Sequence, residues 1–475
     1  MKLMYINGEF SKGNAKEEIE VTNPATEEVL DTVPRGTAED VELAVRSSRE
    51  AFKSWRKMGA NERTSLLHEV ASRVRNHQEE IVRLLTLEEG KPISENDEEL
   101  EWVANTFDYY AELGRHDRGR VIPPGEASQF NFILKEPYGV VGCIVPWNYP
   151  LLLMAWKVAP ALAAGNTVII KPSEMTPLTA LYMTEYCFDG LPAGVVNVVT
   201  GYGAETGEPL VKHPDVPVIA FTGSLATGQR IASHAAPMMK KLHLELGGKD
   251  ATIIAEDADP ELAAKAVAYA ALINAGQVCT STERVYIPKP KAKQFTEAIV
   301  EHVKSLRLGA GMEPTTDVGP MIGDSYRAKT ESHVEDARSR GAKILIGGKR
   351  PKDFAKGWFY EPTVLTGVDH SMLIMREETF GPAMPLMEYK SFEEAIDLVI
   401  ETVEALFKER GAEDKVWGSM VKQALKRRKP GFDETYHGFR TFGKLLEEAQ
   451  ARKFLELEHD EKSGGYIIKR IGHEE

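Results

Sequence analysis

One cysteine in this chain has neighbours that suit a nucleophile. Cys279 lies in the segment NAGQVCTSTERVYI, between a helical run and a strand, and it is flanked by small polar residues. A thiolate in such a place can attack a carbonyl carbon and form a covalent intermediate. An isolated cysteine can also be a small buried hydrophobic residue, and this is our interpretation of Cys143 and Cys187. Three scattered cysteines are too few for a disulfide framework.

A carboxylate that could serve as a general base precedes a pair of glycines. Glu245 lies in LELGGKDATII, where the two glycines let the backbone approach another group closely. Held in a cleft, this carboxylate could take a proton from a water molecule. The alternative is a surface glutamate at the end of a strand.

Two further segments have residues that suit a nucleotide. In FTGSLATG a strand ends at Phe221, and Gly223 and Ser224 turn the chain into a helix whose N-terminus favours a phosphate. In IIKPSE, Lys171 and Glu174 could bind ribose hydroxyls, with the glutamate favouring a free 2′-hydroxyl over a 2′-phosphate. The alternatives are a simple capped helix and a solvated turn.

Strands and helices alternate along the chain up to about residue 400, and they would place these segments together. Strands are predicted in GVVGCIVPWN, NTVIIKPSE, VVNVVTG and VIAFTGS, and helices in PLLLMAWKVAPALAAG, LATGQRIASHAA and AAKAVAYAALINAG. This alternation indicates an α/β fold with a mostly parallel sheet and right-handed crossovers. Ligands bind such sheets at the carboxyl ends of the strands. Pro146–Asn148, Lys171–Glu174 and Thr222–Ser224 all lie at those ends.

Composition limits the class of protein. The 475 residues are enough for at least two domains, and 42% hydrophobic and 27% charged residues are typical of a globular chain. With neither a membrane-length apolar run nor a signal-peptide pattern, we expect a cytoplasmic protein with no membrane partner. The first 400 residues account for the net charge of −14, which gives no general attraction for nucleic acid. Residues 401–475 are neutral overall and contain the densest basic cluster, KQALKRRKP.

Taken together, the motifs resemble the NAD(P)-dependent aldehyde dehydrogenase superfamily. The segments PWNYP, GNTVIIKPSEMTP, GLPAGVVNVVTG, FTGS, LELGGK, NAGQVCTSTERV, TDVGPMI and EETFGP occur in that family's order and spacing over about residues 1–398. The resemblance implies a Rossmann-like NAD-binding domain at 1–245, with an oligomerisation hairpin near 128–142. It also implies an α/β catalytic domain at 246–392 that is shorter than usual.

The resemblance further implies a mechanism and a set of site residues. Cys279 would attack a small aldehyde, Asn148 and the Cys279 N–H would stabilise the oxyanion, and Glu245 would activate the water that hydrolyses the thioester to a carboxylic acid. NAD is the expected cofactor, NADP is less favoured, and no metal is expected. The residues implied to bind the cofactor are Pro146, Trp147, Lys171, Ser173, Glu174, Gly203, Thr222, Gly223, Ser224, Leu246, Gly247, Glu378 and Phe380.

The family pattern stops after SFEEAIDL. Family members continue with an Asn-rich segment, further strands, a Gly-rich loop and a closing strand for the partner subunit, and these motifs do not follow here. We therefore expect that any homo-oligomer forms without the usual C-terminal arm. The pattern does not identify the aldehyde, because residues of the substrate pocket vary within the family.

The remaining segment resembles a LOTUS (OST-HTH) domain, a winged-helix-related module linked to RNA binding. Three amphipathic helices are predicted from Ser391 onward, and FLELEHDEKSGGYIIKR is predicted to form a β-hairpin with its turn near Lys462–Gly465. The run ALKRRKPGFDE and the run GFRTFGKLLE are those most similar to the family, and the domain would span 393–475. The basic residues that could contact RNA phosphates are Lys422, Lys426, Arg427, Arg428, Arg440 and Lys444.

Three hypotheses follow from these two resemblances. The chain is an NAD-dependent aldehyde dehydrogenase whose C-terminus carries an RNA-binding module. Alternatively, the dehydrogenase part is catalytically impaired or inactive and serves as a nucleotide-binding scaffold for that module. The third hypothesis is a chimera of two unrelated coding sequences.

Overall fold

The computed structural model of the chain describes residues 1–116, 119–390, 416–417, 446–447, 450, 455–460 and 465–471. The chain divides into two compact units, Met1–Glu388 and Tyr389–Glu475. The boundaries predicted at 245/246 and 392/393 stay predictions.

Strands and helices alternate along the first unit, as the sequence predicts, and the last three strands of the following list belong to the second unit. The strands are β1 (Met4–Ile6), β2 (Glu9–Ser11), β3 (Glu18–Thr22), β4 (Val29–Pro34), β5 (Arg120–Ile122), β6 (Asn131–Ile133), β7 (Val140–Ile144), β8 (Thr167–Lys171), β9 (Val196–Val198), β10 (Val218–Thr222), β11 (Lys241–Glu245), β12 (Ala251–Ile253), β13 (Arg284–Pro288), β14 (Lys343–Ile346), β15 (Thr363–Thr366), β16 (Ala383–Tyr389), β17 (Val416–Trp417), β18 (Leu455–Asp460) and β19 (Gly465–Ile471). The α-helices are α1 (Ala38–Trp55), α2 (Ala60–Asn76), α3 (Gln78–Glu89), α4 (Ile93–Leu113), α5 (Pro150–Ala163), α6 (Leu178–Tyr186), α7 (Glu208–Lys212), α8 (Leu225–Ala235), α9 (Pro260–Leu272), α10 (Ala292–Ser305), α11 (Asp324–Ser339) and α12 (Leu373–Arg376).

A seven-stranded sheet is the larger of the two main sheets of the first unit. Its strand order is β11-β10-β7-β8-β9-β1-β2, and the five strands from β11 to β9 are parallel. The chain builds β7, β8 and β9 in one direction and then returns to add β10 and β11 on the other side of β7. The strand order therefore reverses between β7 and β10, and ligands of open parallel sheets bind at such a point.

Apolar side chains fix this sheet between helices. All five residues of β8 and of β10 are buried, which is the pattern expected of parallel strands covered on both faces. Helix α5 begins with Pro150 at its first turn, where a missing N–H costs nothing. The next two backbone N–H groups, of Leu151 and Leu152, donate to the buried carboxylate of Glu99 at 3.1 and 3.0 Å.

A second sheet carries the segment that follows Glu245. Its order is β12-β13-β16-β15-β14, with β12 parallel to β13 and β15 parallel to β16. Apolar residues of α9 and α10, among them Val267, Phe295 and Ile299, pack into one buried cluster with Val285 and Met384 of this sheet. The α/β architecture predicted for the region is present.

The predicted hairpin lies earlier in the chain than expected. Strand β6 (Asn131–Ile133) pairs with β5 (Arg120–Ile122), whereas residues 140–142 belong to β7 of the large sheet. The range implied by the family resemblance, 128–142, includes β6 but not its partner, because strand pairing depends on contacts beyond the local sequence. The hairpin exposes apolar side chains, including Phe132 at 56%.

The helix before Cys279 is shorter than predicted. The run AAKAVAYAALINAG suggests a helix through Gly276, but α9 ends at Leu272 and a 3₁₀ turn follows over Ile273–Gly276. Asn274 and Ala275 have positive φ angles of 48° and 52°, which a helix cannot contain. The hydrogen bonds that stabilise this turn come from distant helices and are described below.

In the second unit, the described residues contain the predicted hairpin. Strands β18 and β19 are antiparallel, with Asp460 opposite Gly465, and β17 pairs with the other edge of β19. Leu446, Glu447 and Gln450 are helical, within the third predicted helix. The first two predicted helices and all six candidate RNA-binding residues lie outside the described residues.

Membrane insertion through a helix finds no support in the described ranges. None of the helices there combines the length and the apolar character that a bilayer-spanning segment needs.

Candidate active site

Asn148 and most of the residues predicted to bind the cofactor lie at the carboxyl edge of the large sheet. Pro146, Trp147 and Asn148 follow β7, and Thr222, Gly223 and Ser224 end β10 and begin α8. These loops flank the point where the strand order reverses, with Lys171, Ser173 and Glu174 beside them after β8. The site is therefore at the position that the strand order favours.

Asn148 is bound to the loop that carries Cys279. Its side-chain Nδ2 donates to the Gln277 carbonyl oxygen at 2.9 Å, and its own carbonyl oxygen accepts from Asn274 Nδ2 at 2.9 Å. Gln277 in turn accepts from the Ile322 N–H at 2.9 Å and is fully buried. The predicted amide donor is thus held beside the nucleophile loop by interactions in both directions.

A buried glutamate and a partly buried one hold the left-handed turn of that loop. Glu95 accepts the Asn274 backbone N–H at 2.8 Å, and Glu89 accepts Asn274 Nδ2 at 3.0 Å. Lys91 lies 2.5 Å from Glu99 and 3.2 Å from Glu89, so one cation serves this group of carboxylates. Burial raises the pKa of Glu95 to about 7, although the positive charge of Lys91 acts to lower it. Helices α3 and α4 thereby fix the shape of the loop in front of Cys279.

Cys279 is partly buried and lies in an electronegative setting. Burial raises the pKa of its thiol, and the negative charges of Glu245, Asp250 and Glu378 raise it further. Glu245 ends β11, the edge strand of the large sheet, with an exposed side chain. Glu245 and Cys279 are close enough to interact electrostatically, which is the relation predicted for a base and a nucleophile that act in one site.

The pH dependence of Cys279 alkylation tests this electrostatic setting. Because the thiol pKa is raised, the thiolate fraction at neutral pH is small, and it increases about tenfold per pH unit as long as the pH is well below that pKa. Iodoacetamide should therefore inactivate the protein faster as the pH rises. In Glu245→Gln, the loss of the like charge should move the whole rate profile to lower pH. Identical profiles for the two proteins would contradict the coupling.

The adenosine side of the predicted cofactor site contains one buried cation and one helix N-terminus. Lys171 Nζ is buried, donates to the Pro172 carbonyl at 3.0 Å and lies 3.4 Å from Glu174, which is partly exposed. Ser224 is the N-cap of α8, and its hydroxyl accepts the Thr227 N–H at 3.4 Å. A side chain added at Gly203 would meet open space. A ribose and a diphosphate fit these groups.

The predicted nicotinamide side contains Glu378, Phe380 and the Gly247–Gly248 backbone. Gly248 N–H donates to Glu378 Oε1 at 3.3 Å, and a Cβ on Gly247 would collide with the same carboxylate. Phe380 packs edge to face on Trp147, with 5.5 Å between ring centroids. The Leu246 side chain packs on α8, where a Cβ on Gly228 would strike it. The residues present therefore fit the shape of a dinucleotide site.

Sequence reasoning missed three charged residues of this region. Lys157 Nζ donates to Thr222 Oγ1 at 2.6 Å. Burial lowers the pKa of Lys157 to about 8, and electrostatic interactions with Cys143, Glu245 and Cys279 oppose this lowering. A lone lysine in the apolar helix PLLLMAWKVAPALAAG was the available signal. The other two are Lys249 and Glu283, which form a buried ion pair at 2.6 Å.

Comparison with known proteins agrees with the fold and the site. The profile of the aldehyde dehydrogenase family matches residues 10–426. Betaine aldehyde dehydrogenase 1 of Oryza sativa subsp. japonica is 41% identical, with 84% of this chain and 81% of that protein covered. The mitochondrial succinate-semialdehyde dehydrogenase of Arabidopsis thaliana is 42% identical, with coverage of 84% and 76%.

A solved structure has the same fold. The betaine aldehyde dehydrogenase of Staphylococcus aureus, in complex with NAD+, superposes with a TM-score of 0.82 at 39% identity, covering 84% of this chain and 80% of that one. The chain belongs to the aldehyde dehydrogenase family. It is an NAD-dependent enzyme that oxidises an aldehyde to a carboxylic acid. The family match runs on past Leu398 to Lys426, into the segment where a second tail helix is predicted.

Proposed function

We propose that Cys279, Asn148 and Glu245 carry out this oxidation. The Cys279 thiolate adds to the aldehyde carbonyl and forms a tetrahedral thiohemiacetal. The Asn148 amide and the Cys279 N–H stabilise its oxyanion. Bound NAD would supply the hydride acceptor, so that loss of hydride from the former aldehyde carbon leaves a thioester on Cys279. Glu245 then removes a proton from water, which attacks the Cys279 thioester and releases the carboxylic acid and the thiol.

One observation supports this assignment more than any other. The Asn148 amide donates to the backbone two residues before Cys279, at 2.9 Å, where the strand order of the parallel sheet reverses. The donor is therefore next to the loop of the thiol, and the Glu245 carboxylate is near enough to raise the pKa of that thiol, so the three groups that this acyl chemistry needs are neighbours.

The cofactor residues are proposed in two groups. Lys171, Ser173, Glu174, Gly203, Thr222, Gly223 and Ser224 bind the adenosine and diphosphate half, and Pro146, Trp147, Leu246, Gly247, Glu378 and Phe380 surround the nicotinamide half. The Glu174 carboxylate repels a 2′-phosphate, which supports NAD over NADP. The cytoplasmic location remains a proposal, as one relative is named as mitochondrial.

Aldehyde-dependent NADH formation by the full chain tests the function. The panel should include betaine aldehyde, ω-aminoaldehydes and succinate semialdehyde, because the relatives' names mention these compounds. We expect turnover with at least one aldehyde and slower turnover when NADP replaces NAD. NAD binding without turnover would instead support the inactive scaffold, which we do not favour because every predicted catalytic residue is present.

We propose separately that the second unit is a LOTUS-like module that binds RNA. The observation that supports it is the β18–β19 hairpin, which lies where the winged-helix outline requires a hairpin. Phosphate contacts would come from Lys422, Lys426, Arg427, Arg428, Arg440 and Lys444. The proposal concerns this unit alone and is independent of the dehydrogenase chemistry.

RNA binding should depend strongly on salt. Six phosphate contacts with a single strand should weaken binding by about 300-fold when the salt concentration rises from about 50 to about 200 mM. Changing Lys426, Arg427 and Arg428 to Glu should abolish binding, measured by fluorescence anisotropy with a labelled single-stranded RNA. The control changes the exposed Lys289, Lys291 and Lys293 to Glu, an equal change in charge on the first unit. Equal losses in both variants would refute a specific RNA-binding surface.

A further inference from the structure

The loop predicted to hold the nicotinamide half of the cofactor is bound by one buried carboxylate. Glu283 Oε1 accepts the Phe380 backbone N–H at 2.8 Å, and Glu283 Oε2 accepts the Thr379 backbone N–H at 2.9 Å. Glu283 is 5% exposed. A carboxylate that accepts two successive backbone N–H groups fixes both the position and the direction of the loop.

A buried lysine completes this arrangement. Lys249 Nζ lies 2.6 Å from Glu283 Oε2 and donates to the Thr379 hydroxyl at 3.1 Å. His333 Nδ1 is 3.1 Å from the same hydroxyl. Removal of one partner from such a buried pair leaves a charge without compensation. The loop is therefore tied to Glu283 through both backbone and side-chain groups.

The backbone of the loop needs this support. Phe380 has a positive φ angle of 56°, which a residue with a large side chain adopts only when its surroundings impose it. This conformation directs the Phe380 ring onto Trp147, at an interplanar angle of 89°. It also places Glu378, two residues earlier, on the Gly248 N–H.

Glu283 is also part of the nucleophile loop. It follows Cys279 by four residues, and its own backbone N–H donates to the Asp250 carbonyl at 3.2 Å. The nucleophile loop also touches the loop that carries Phe380, since a Cβ on Gly276 would collide with the Gly381 carbonyl oxygen. The loop that carries the thiol and the loop that faces the nicotinamide are therefore built as one piece.

We propose that Glu283 is a positioning residue for the nicotinamide half of the cofactor. It holds Glu378, Thr379 and Phe380 in the conformation that receives the nicotinamide ribose and ring, at a fixed distance from Cys279. This inference rests on the proposed function, because it assigns the cofactor to this site. Glu283 itself lies behind the loop and contacts the backbone.

Glu88 provides a matched control. It is a fully buried glutamate that also accepts two successive backbone N–H groups, of Leu178 at 2.8 Å and Thr179 at 3.0 Å. Those groups begin helix α6, away from the predicted nicotinamide loop. Replacing Glu88 by Gln therefore disturbs a similar hydrogen-bonding pattern without touching the loop.

Calorimetric titration of the full chain with NAD and with ADP tests the proposal. ADP engages only the adenosine and diphosphate half of the site. In Glu283→Gln, the side-chain NH₂ of the new glutamine faces one of the two backbone N–H groups, of Thr379 or Phe380, and cannot accept its hydrogen bond. The loop should then hold the correct conformation in only about a tenth of the molecules. The Kd for NAD should then rise about tenfold while the Kd for ADP is unchanged. Glu283→Asp keeps the charge next to Lys249, but its shorter side chain cannot reach both N–H groups. It should therefore also raise the ratio of the Kd for NAD to the Kd for ADP.

The outcomes distinguish a failure of this inference from a failure of the proposed function. Glu88→Gln should lower the melting temperature and leave the ratio of the two Kd values as in the wild type. The positioning role is wrong if Glu283→Gln weakens the binding of NAD and of ADP equally, or weakens the binding of neither. It is also wrong if Glu88→Gln changes the ratio of the two Kd values as much as Glu283→Gln does. A wild-type chain that binds neither ligand would overturn the proposed function, and this inference with it.

Discussion

Replacement of Cys279 by Ala should abolish aldehyde-dependent NADH formation. We expect kcat to fall by about 10⁴-fold or more, because the covalent thiohemiacetal and thioester cannot form without the thiol. Cys143 and Cys187 cannot substitute, since both are fully buried in the apolar core of the large sheet. Steady-state assays with the best aldehyde of the panel measure the loss, and NAD titration should show unchanged cofactor binding.

Cys187→Ala is the matched control for this change. It removes a buried thiol that has no part in the proposed chemistry, so it should lower the melting temperature slightly and leave kcat unchanged. Normal turnover by Cys279→Ala would rule out a covalent mechanism through Cys279.

Replacement of Glu245 by Gln should stop the reaction after the first turnover. The thiol can still add to the aldehyde, and the first hydride can still leave, but the thioester lacks the base that activates water. We expect steady-state kcat to fall by about 10²- to 10⁴-fold, while a burst of NADH close to one equivalent per active site persists. Rapid-mixing absorbance measurements separate the burst from the steady state.

A distant carboxylate serves as the control for Glu245. Glu301 is exposed on helix α10, and Glu301→Gln should retain the wild-type rate in both phases. If Glu245→Gln loses the burst as well, the carboxylate acts before the thioester forms, and its assignment to hydrolysis is wrong.

The positions of the main strands and of their loops were predictable from the sequence. The buried run VIAFT was predicted to be a parallel strand, and β10 ends at Thr222, one residue after the predicted end. Because the ends of parallel strands meet at one edge of the sheet, Asn148 and Ser224 could be assigned to a common site before any contact was known.

Long-range contacts were not predictable in the same way. The helix before Cys279 ends early because Glu89 and Glu95, about 180 residues away in sequence, bind Asn274 in a left-handed conformation. Local helix propensity contains no information about such partners. The same limit applies to Lys157 and Glu283, whose types are ordinary for a helix and a loop and whose roles depend on what surrounds them in the fold.

The left-handed turn at Asn274 and Ala275 has a consequence for the order in which the protein acquires its reactivity. Positive φ at Ala275 costs about 1 to 2 kcal/mol, so the isolated segment does not adopt this shape. The turn requires Glu89 of α3 and Glu95 of α4 to be in place, because these carboxylates bind Asn274. During biosynthesis the thiol would therefore gain its native environment late. Its alkylation rate can thus serve as a time-resolved reporter of how far the first unit has folded.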